Sequence, residues 1–234
     1  MKIKKHIPNL LTLLNLFCGC IALVFVSESK FLIGFSFVCL GIFFDFFDGF
    51  FARKFGVSGP LGVQLDSLAD MVTSGVAPGF VMFKMLLQNN QGGFEYLPYL
   101  GFIITLGACY RLANFNIDTR QSDSFIGLPT PANTLFIMSL PLVIEECHFL
   151  FLSELLSITW VLLFITLLSA FVMNAEIPLF SLKIKNFSVS KYKLQTGFVL
   201  GSILMIGTLQ FLSIPLIILS YVLISIGHNF WVKK

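Results

Sequence analysis

The chain has 234 residues, 56% of them hydrophobic and only 12% charged, with a net charge of +3 and a mean hydropathy of +0.90. Soluble domains carry about 25% charged residues, so this composition excludes an ordinary water-soluble globule and predicts an all-α polytopic membrane protein. No basic cluster is interleaved with stacking aromatics, which excludes a nucleic-acid partner, and the 28 Phe are read as lipid-facing bulk.

The start, Met1-Lys-Ile-Lys-Lys, looks like the charged end of a signal sequence. No small-residue cleavage site follows, so it is read as the entry to a retained first span. Apolar runs and their polar or Pro/Gly breaks predict spans over about 7–27, 31–52, 65–87, 96–113, 128–144 and 155–172. A linker carrying Gly56, Gly59, Pro60 and Gly62 separates the second span from the third, over about 53–64. Pro78-Gly79 is expected to bend the third. A polar loop, about 114–127, follows the fourth span and holds Asp118, Arg120 and Asp123; Pro129 and Pro131 suit the next helix start. A basic connection over about 174–195 holds Lys183, Lys185, Lys191 and Lys193. The last apolar stretch, about 196–230, is too long for one helix, and Ser213-Ile-Pro215 divides it, for eight spans in all, or seven undivided. The expectation is a single integral membrane domain over 1–234, with a catalytic core at about 5–140 and C-terminal spans at about 155–230.

With the N-terminus in the cytoplasm, alternation puts thirteen Lys and Arg inside and only Lys30 and Lys84 outside. That asymmetry predicts an inner-membrane protein with a cytoplasmic N-terminus. Cys18, Cys20, Cys39, Cys109 and Cys147 show no zinc or redox spacing and read as small apolar side chains. His6, His148 and His228 lie far apart, near predicted span ends, and suggest no metal site.

Four carboxylates break this apolar background: Asp45, Asp48, Asp66 and Asp70. The first two are spaced i, i+3 and the last two i, i+4, so each pair shares a helix face. All four fall at the predicted cytoplasmic ends of spans two and three. Acids within spans are costly and functional by default, and such a group cannot stay ionised without a compensating cation. Oxygen donors select Mg²⁺, Mn²⁺ or Ca²⁺, and two such ions could clamp the oxygens of a displacement at phosphorus. A cation pathway in an ion-coupled transporter is the alternative, though the glycine-rich linker fits it less well.

The residues Asp45, Asp48, Gly49, Ala52, Arg53, Gly62, Asp66 and Asp70 match D-x-x-D-G-x-x-A-R-(x8)-G-x-x-x-D-x-x-x-D. This resembles the signature of the CDP-alcohol phosphatidyltransferases. Ile7-Pro-Asn9-Leu-Leu-Thr12-Leu-Leu-Asn15-Leu, 66–79, Arg111-Leu-Ala-Asn-Phe-Asn116 and Gly127-Leu-Pro-Thr130-Pro-Ala-Asn133 resemble the membrane-bound phosphatidylserine synthases within that family. The resemblance covers about 5–140. It implies a helical bundle that moves a phosphatidyl group from CDP-diacylglycerol to an alcohol, here L-serine, with release of CMP. It also implies two divalent ions, Mg²⁺ or Mn²⁺, and a homodimer in the lipid bilayer. Carried over, Asp45 and Asp66 bridge the ions, Asp48 completes one site, and Asp70 helps hold the second ion and acts as general base. Asn9, Thr12, Gly49, Ala52, Arg53 and Gly62 would contact CDP-diacylglycerol. Serine needs a cation for its carboxylate, and Arg111, with Asn114 beside it, is the candidate for acceptor binding. Glycerol 3-phosphate or an inositol phosphate is the alternative acceptor, but a phosphorylated alcohol calls for more basic residues than Arg111 and Arg120.

Overall fold

The computed structural model describes residues 6–57, 59–90, 93–118, 126–146, 150–180 and 193–232. Arg120, Asp123, Cys147, His148, Lys183, Lys185, Lys191 and both chain-end lysine clusters lie outside them. Helices account for most of the described residues, in keeping with the apolar runs, and the one β contact among them is an isolated bridge between Ile126 and Pro178.

Helix α1 (Ile7–Ser27) turns at Glu28–Lys30 into α2 (Phe31–Phe55), and the two pack as an antiparallel pair. Glycines set how closely these backbones approach. A Cβ on Gly34 would stand 2.8 Å from Val26, and one on Gly41 would stand 2.9 Å from both Asn15 Oδ1 and Thr73 Cγ2. Helix α2 ends at Gly56, which adopts φ +64. The Gly56 N–H donates to Arg53 O and the Val57 N–H to Ala52 O, so the end is a Schellman cap. Arg53 and Lys54 in the last turn complement the helix dipole.

The linker is shorter than its composition suggests. Gly59 caps α3 (Pro60–Asp70) and Pro60 opens it. Proline is a favoured first helical residue because its missing N–H would be unpaired there anyway. The third span therefore begins about five residues before its predicted start.

A π-helical turn, Met71–Val76, joins α3 to α4 (Ala77–Asn89). Helix α4 runs through Pro78-Gly79, where a bend was expected. Proline's effect falls earlier. Pro78 has no N–H for the Ser74 carbonyl four residues back, and the hydroxyl of Thr134 lies 2.9 Å from that oxygen instead. Thr105 Oγ1 donates to Gly75 O at 2.9 Å, and Thr73 Oγ1 to Asn15 O at 3.1 Å. Threonines on three helices thus tie down the widened turn. Gly79 serves contact rather than bending, because a Cβ there would collide with Thr105.

A 3₁₀ stretch, Leu97–Phe102, leads into α5 (Ile103–Ile117). Helix α6 (Thr130–Glu146) follows, then α7 (Leu150–Leu156) and α8 (Thr159–Asn174), which meet at 73°; the span expected over about 155–172 corresponds to α8. Helices α9 (Lys193–Leu209) and α10 (Ser213–Val232) flank a 3₁₀ turn in which Gln210 adopts φ +48. The rings of Phe198 and Tyr221 are 5.7 Å apart. In a straight helix 23 residues span about 34 Å, so the chain folds back here, three residues before the predicted break.

The core lies between α1, α2, α4, α5, α6 and α8 and includes Val26, Val38, Met82, Leu86, Ile104, Ile137, Met138 and Leu162. Phe17, Phe46, Leu106, Phe171 and Leu204 are more than half exposed, as lipid-facing side chains must be. Among the described residues, five helical segments are long and apolar enough to cross a bilayer, or six with α7 and α8 taken together, against the eight, or seven, expected. Two causes account for the shortfall. Helix α6 has only 17 residues, rising about 26 Å, and Leu194–Asn229 counts once despite its reversal.

Candidate active site

Helix polarity brings the C-terminal part of α2, the N-terminal part of α1 and all of α3 to one end of the bundle. Lys84 Nζ bonds Ser27 O, and Lys30 pairs with Glu28, at the other end. Within the first end, one carboxylate oxygen each from Asp45, Asp48 and Asp66 lie within 4.8 Å of one another. Asp45 and Asp66 are within hydrogen-bonding reach across the α2–α3 gap. Asp48 is buried, and the other two are half-buried. Asp70 lies one turn along α3 from Asp66, just before the π-helical turn, close enough to feel the charges of Asp66 and Asp48.

Helix α1 supplies the polar wall. Thr12 Oγ1 donates to Asp48 Oδ2 at 2.5 Å, and Asn15 Nδ2 donates to Asp70 Oδ1 at 3.0 Å. Asn9 faces α3, its Oδ1 lying 3.7 Å from where a Cβ on Gly62 would stand. A Cβ on Gly49 would come within 3.3 Å of the Arg53 guanidinium, so the missing side chain leaves room for that group. Ala52 is half-buried on the same helix.

Among the described residues, the salt bridge formed is Lys30–Glu28, and none involves these four acids. Two like charges about 4 Å apart repel by roughly 4 kcal/mol at an effective dielectric constant of 20. A divalent cation is the compensation that hard carboxylate oxygens favour, and the spacing of Asp45, Asp48 and Asp66 suits three ligands to one such ion.

Arg111 and Asn114 are not part of this group. Arg111 is buried, its Nη1 donating to Ile126 O at 2.9 Å and Met173 O at 2.6 Å, its Nη2 to Gly127 O at 3.3 Å. It staples the segment before α6 to the end of α8, so these carbonyls rather than the acids take its hydrogen bonds, although acceptor binding was the role expected for it. The reason is local: Gly127, at φ +72, and the unwound end of α8 leave carbonyls without helical partners. Arg111 and Asn114 line a separate cavity of about 80 Å³ with Asp118, Asn174 and Glu176, and none of the four acids borders it.

Asn15 and Asn116 stand in the segments that carry the family resemblance, but the sequence assigned neither a role. Asn116 Nδ2 donates to Ser67 Oγ at 2.8 Å and ties α5 to α3. The signal for Asn15 is spacing: Asn9, Thr12 and Asn15 recur every third residue in an otherwise apolar run, forming one polar face.

Residues 5–172, from α1 into α8, match the family model of CDP-alcohol phosphatidyltransferase. The chain belongs to the CDP-alcohol phosphatidyltransferase family. It is 35% identical over 131 residues to a CDP-diacylglycerol–serine O-phosphatidyltransferase of Bacillus subtilis, covering 54% of this chain and 70% of that protein. Enzymes of the same name from Helicobacter pylori J99 and Methanocaldococcus jannaschii are each 34% identical, over 61% and 56% of this chain and 60% and 58% of theirs. The chain thus spans about six-tenths of the length of several relatives it matches. Family membership decides against the transporter alternative, and the phosphatidyltransferase motif coincides with the acidic cluster. Helices α9 and α10 lie beyond the matched region.

Proposed function

We propose that this protein transfers the phosphatidyl group of CDP-diacylglycerol to L-serine, forming phosphatidylserine and CMP at the cytoplasmic face of the membrane. The convergence of Asp45, Asp48 and Asp66, with Asp70 one turn away, carries the reading. The serine-using relatives support the acceptor. Mg²⁺ or Mn²⁺ held by Asp45, Asp48 and Asp66, with Asp70 contributing to a second ion, would neutralise the diphosphate and the charge on departing CMP. Asp70 takes the proton from the serine hydroxyl, which is a poor nucleophile near neutral pH. The serine oxygen bonds to the phosphatidyl phosphorus as the bond to the CMP oxygen breaks, and the electron pair leaves with CMP. Arg53, exposed at the end of α2, holds a phosphate through its planar fork. Gly49 and Gly62 let the nucleotide approach the backbone, between Asn9 and Arg53. A homodimer belongs to the same reading; Gly197 and Gly201 on α9 meet no other side chain within 4 Å of a notional Cβ.

An acceptor screen tests this. Purified protein with CDP-diacylglycerol and Mn²⁺ or Mg²⁺ should release CMP on addition of serine, and not with glycerol 3-phosphate or inositol phosphate. Release only with a phosphorylated alcohol would refute serine as acceptor. Asp70→Asn should abolish release while the lipid nucleotide still binds; near-normal turnover would remove Asp70 as the base.

A further inference from the structure

We infer that Thr12 and Asn15 are positioning residues of α1 that orient two of the acids, Thr12 acting through Asp48 and Asn15 through Asp70. This rests on the function proposed above and changes the role expected for Thr12, from nucleotide contact to carboxylate support.

The geometry is specific. Thr12 and Asn15 are three residues apart on α1, so both project from one face toward α2 and α3. Both are buried, Thr12 at 3% exposure and Asn15 at 0%. Each bonds one oxygen of one carboxylate: Oδ2 of Asp48 and Oδ1 of Asp70. Each acid is thus held through one oxygen by α1, on the side where Asp45 and Asp66 converge. Thr12 Oγ1 otherwise reaches only Pro8 O within its own helix, at 3.1 Å.

Two neighbours fix where Asn15 sits. Thr73 donates to its backbone carbonyl, and Gly41 leaves room for its side-chain oxygen, which lies 2.9 Å from where a Cβ would be. That oxygen is buried without a hydrogen-bond partner. A residue kept for stability alone would not leave a buried acceptor unpaired, which costs about 1–3 kcal/mol. The amide is retained for its N–H, aimed at Asp70. Outer partners of this kind fix the orientation of ligating carboxylates, and their loss typically lowers metal affinity about 10–100-fold.

The test uses full-length protein in detergent, with free Mn²⁺ measured by electron paramagnetic resonance alongside CMP release and thermal melting. Thr12→Val should weaken Mn²⁺ binding about 10–100-fold, and Thr12→Ser should restore it, with KM for CDP-diacylglycerol within about twofold of the parent. Asn15→Leu removes both an unpaired oxygen and the donor to Asp70, two effects that offset, so the melting temperature should stay near the parent's while kcat falls at least about tenfold with little change in KM. A Thr12→Val protein with parental Mn²⁺ affinity and a raised KM for the lipid nucleotide would overturn the Thr12 assignment. An Asn15→Leu protein that melts lower and keeps its kcat would overturn the Asn15 assignment. Should Asn15→Leu fail to fold, Asn15→Ser at parental kcat would overturn it equally. Failure of the underlying function shows separately: the unaltered protein would then bind no Mn²⁺ and release no CMP with any alcohol.

Discussion

Arg111 shows how a residue's chemistry and its neighbours can point in different directions. An arginine in an apolar run must find acceptors, and a carboxylate or phosphate is the first candidate. The acceptors it finds are three backbone carbonyls at the mouth of α6 and the end of α8. Arg111→Gln should therefore act on stability, leaving buried carbonyls unpaired at about 1–3 kcal/mol each. The expected result is a lower melting temperature with an unchanged serine KM in the protein that remains folded; a selective rise in serine KM would return Arg111 to the acceptor site. The acids behave differently. Asp66→Ala removes one of three converging ligands, and the measured Mn²⁺ affinity should fall by at least about tenfold.

Helices α1 and α2 and the segment 60–89 form one construction, in which small residues decide how near the acids come. Gly41 is one such close point, and its neighbours Asn15 and Thr73 are both held by hydrogen bonds. Gly41→Val should cost about 1–3 kcal/mol through overpacking and should also lower turnover, because Asn15 is displaced. Calorimetry and CMP release on the same sample check both. The π-helical turn belongs to this scale too. It sits directly after Asp70, the place where such turns often mark function, and the hydroxyls of Thr105 and Thr134 make it permanent. Pro78 is visible in the sequence, whereas the threonines that answer it come from helices 30 and 60 residues away.

At the scale of the whole molecule, a cluster of like charges works against the fold unless cations occupy it. Chelating divalent ions should lower the melting temperature, and returning Mn²⁺ or Mg²⁺ should raise it by the equivalent of about 2.7 kcal/mol at a concentration one hundred times Kd. A melting temperature indifferent to both would show that the acids hold no ion. Helix α10 packs against α6, whereas α9 touches mainly α10 and presents Leu200, Ile203, Leu204 and Ile206 outward. They lie outside the family match and away from the acids.

The amino-acid sequence by itself determined the membrane class, the helical fold, the acidic motif and the pairing of its four aspartates with helix faces. These follow from composition and spacing along a single helix, which are local quantities. It also carried the family, because eight identities at fixed intervals do not depend on how the chain folds. Only the tertiary structure decided where Arg111 spends its donors, that Thr12 and Asn15 hold Asp48 and Asp70, and that Pro78 reshapes the helix rather than bending it. Each of those depends on a partner far along the chain. A hydrogen bond or a collision between helices is set by their packing, and no periodicity within one segment encodes it.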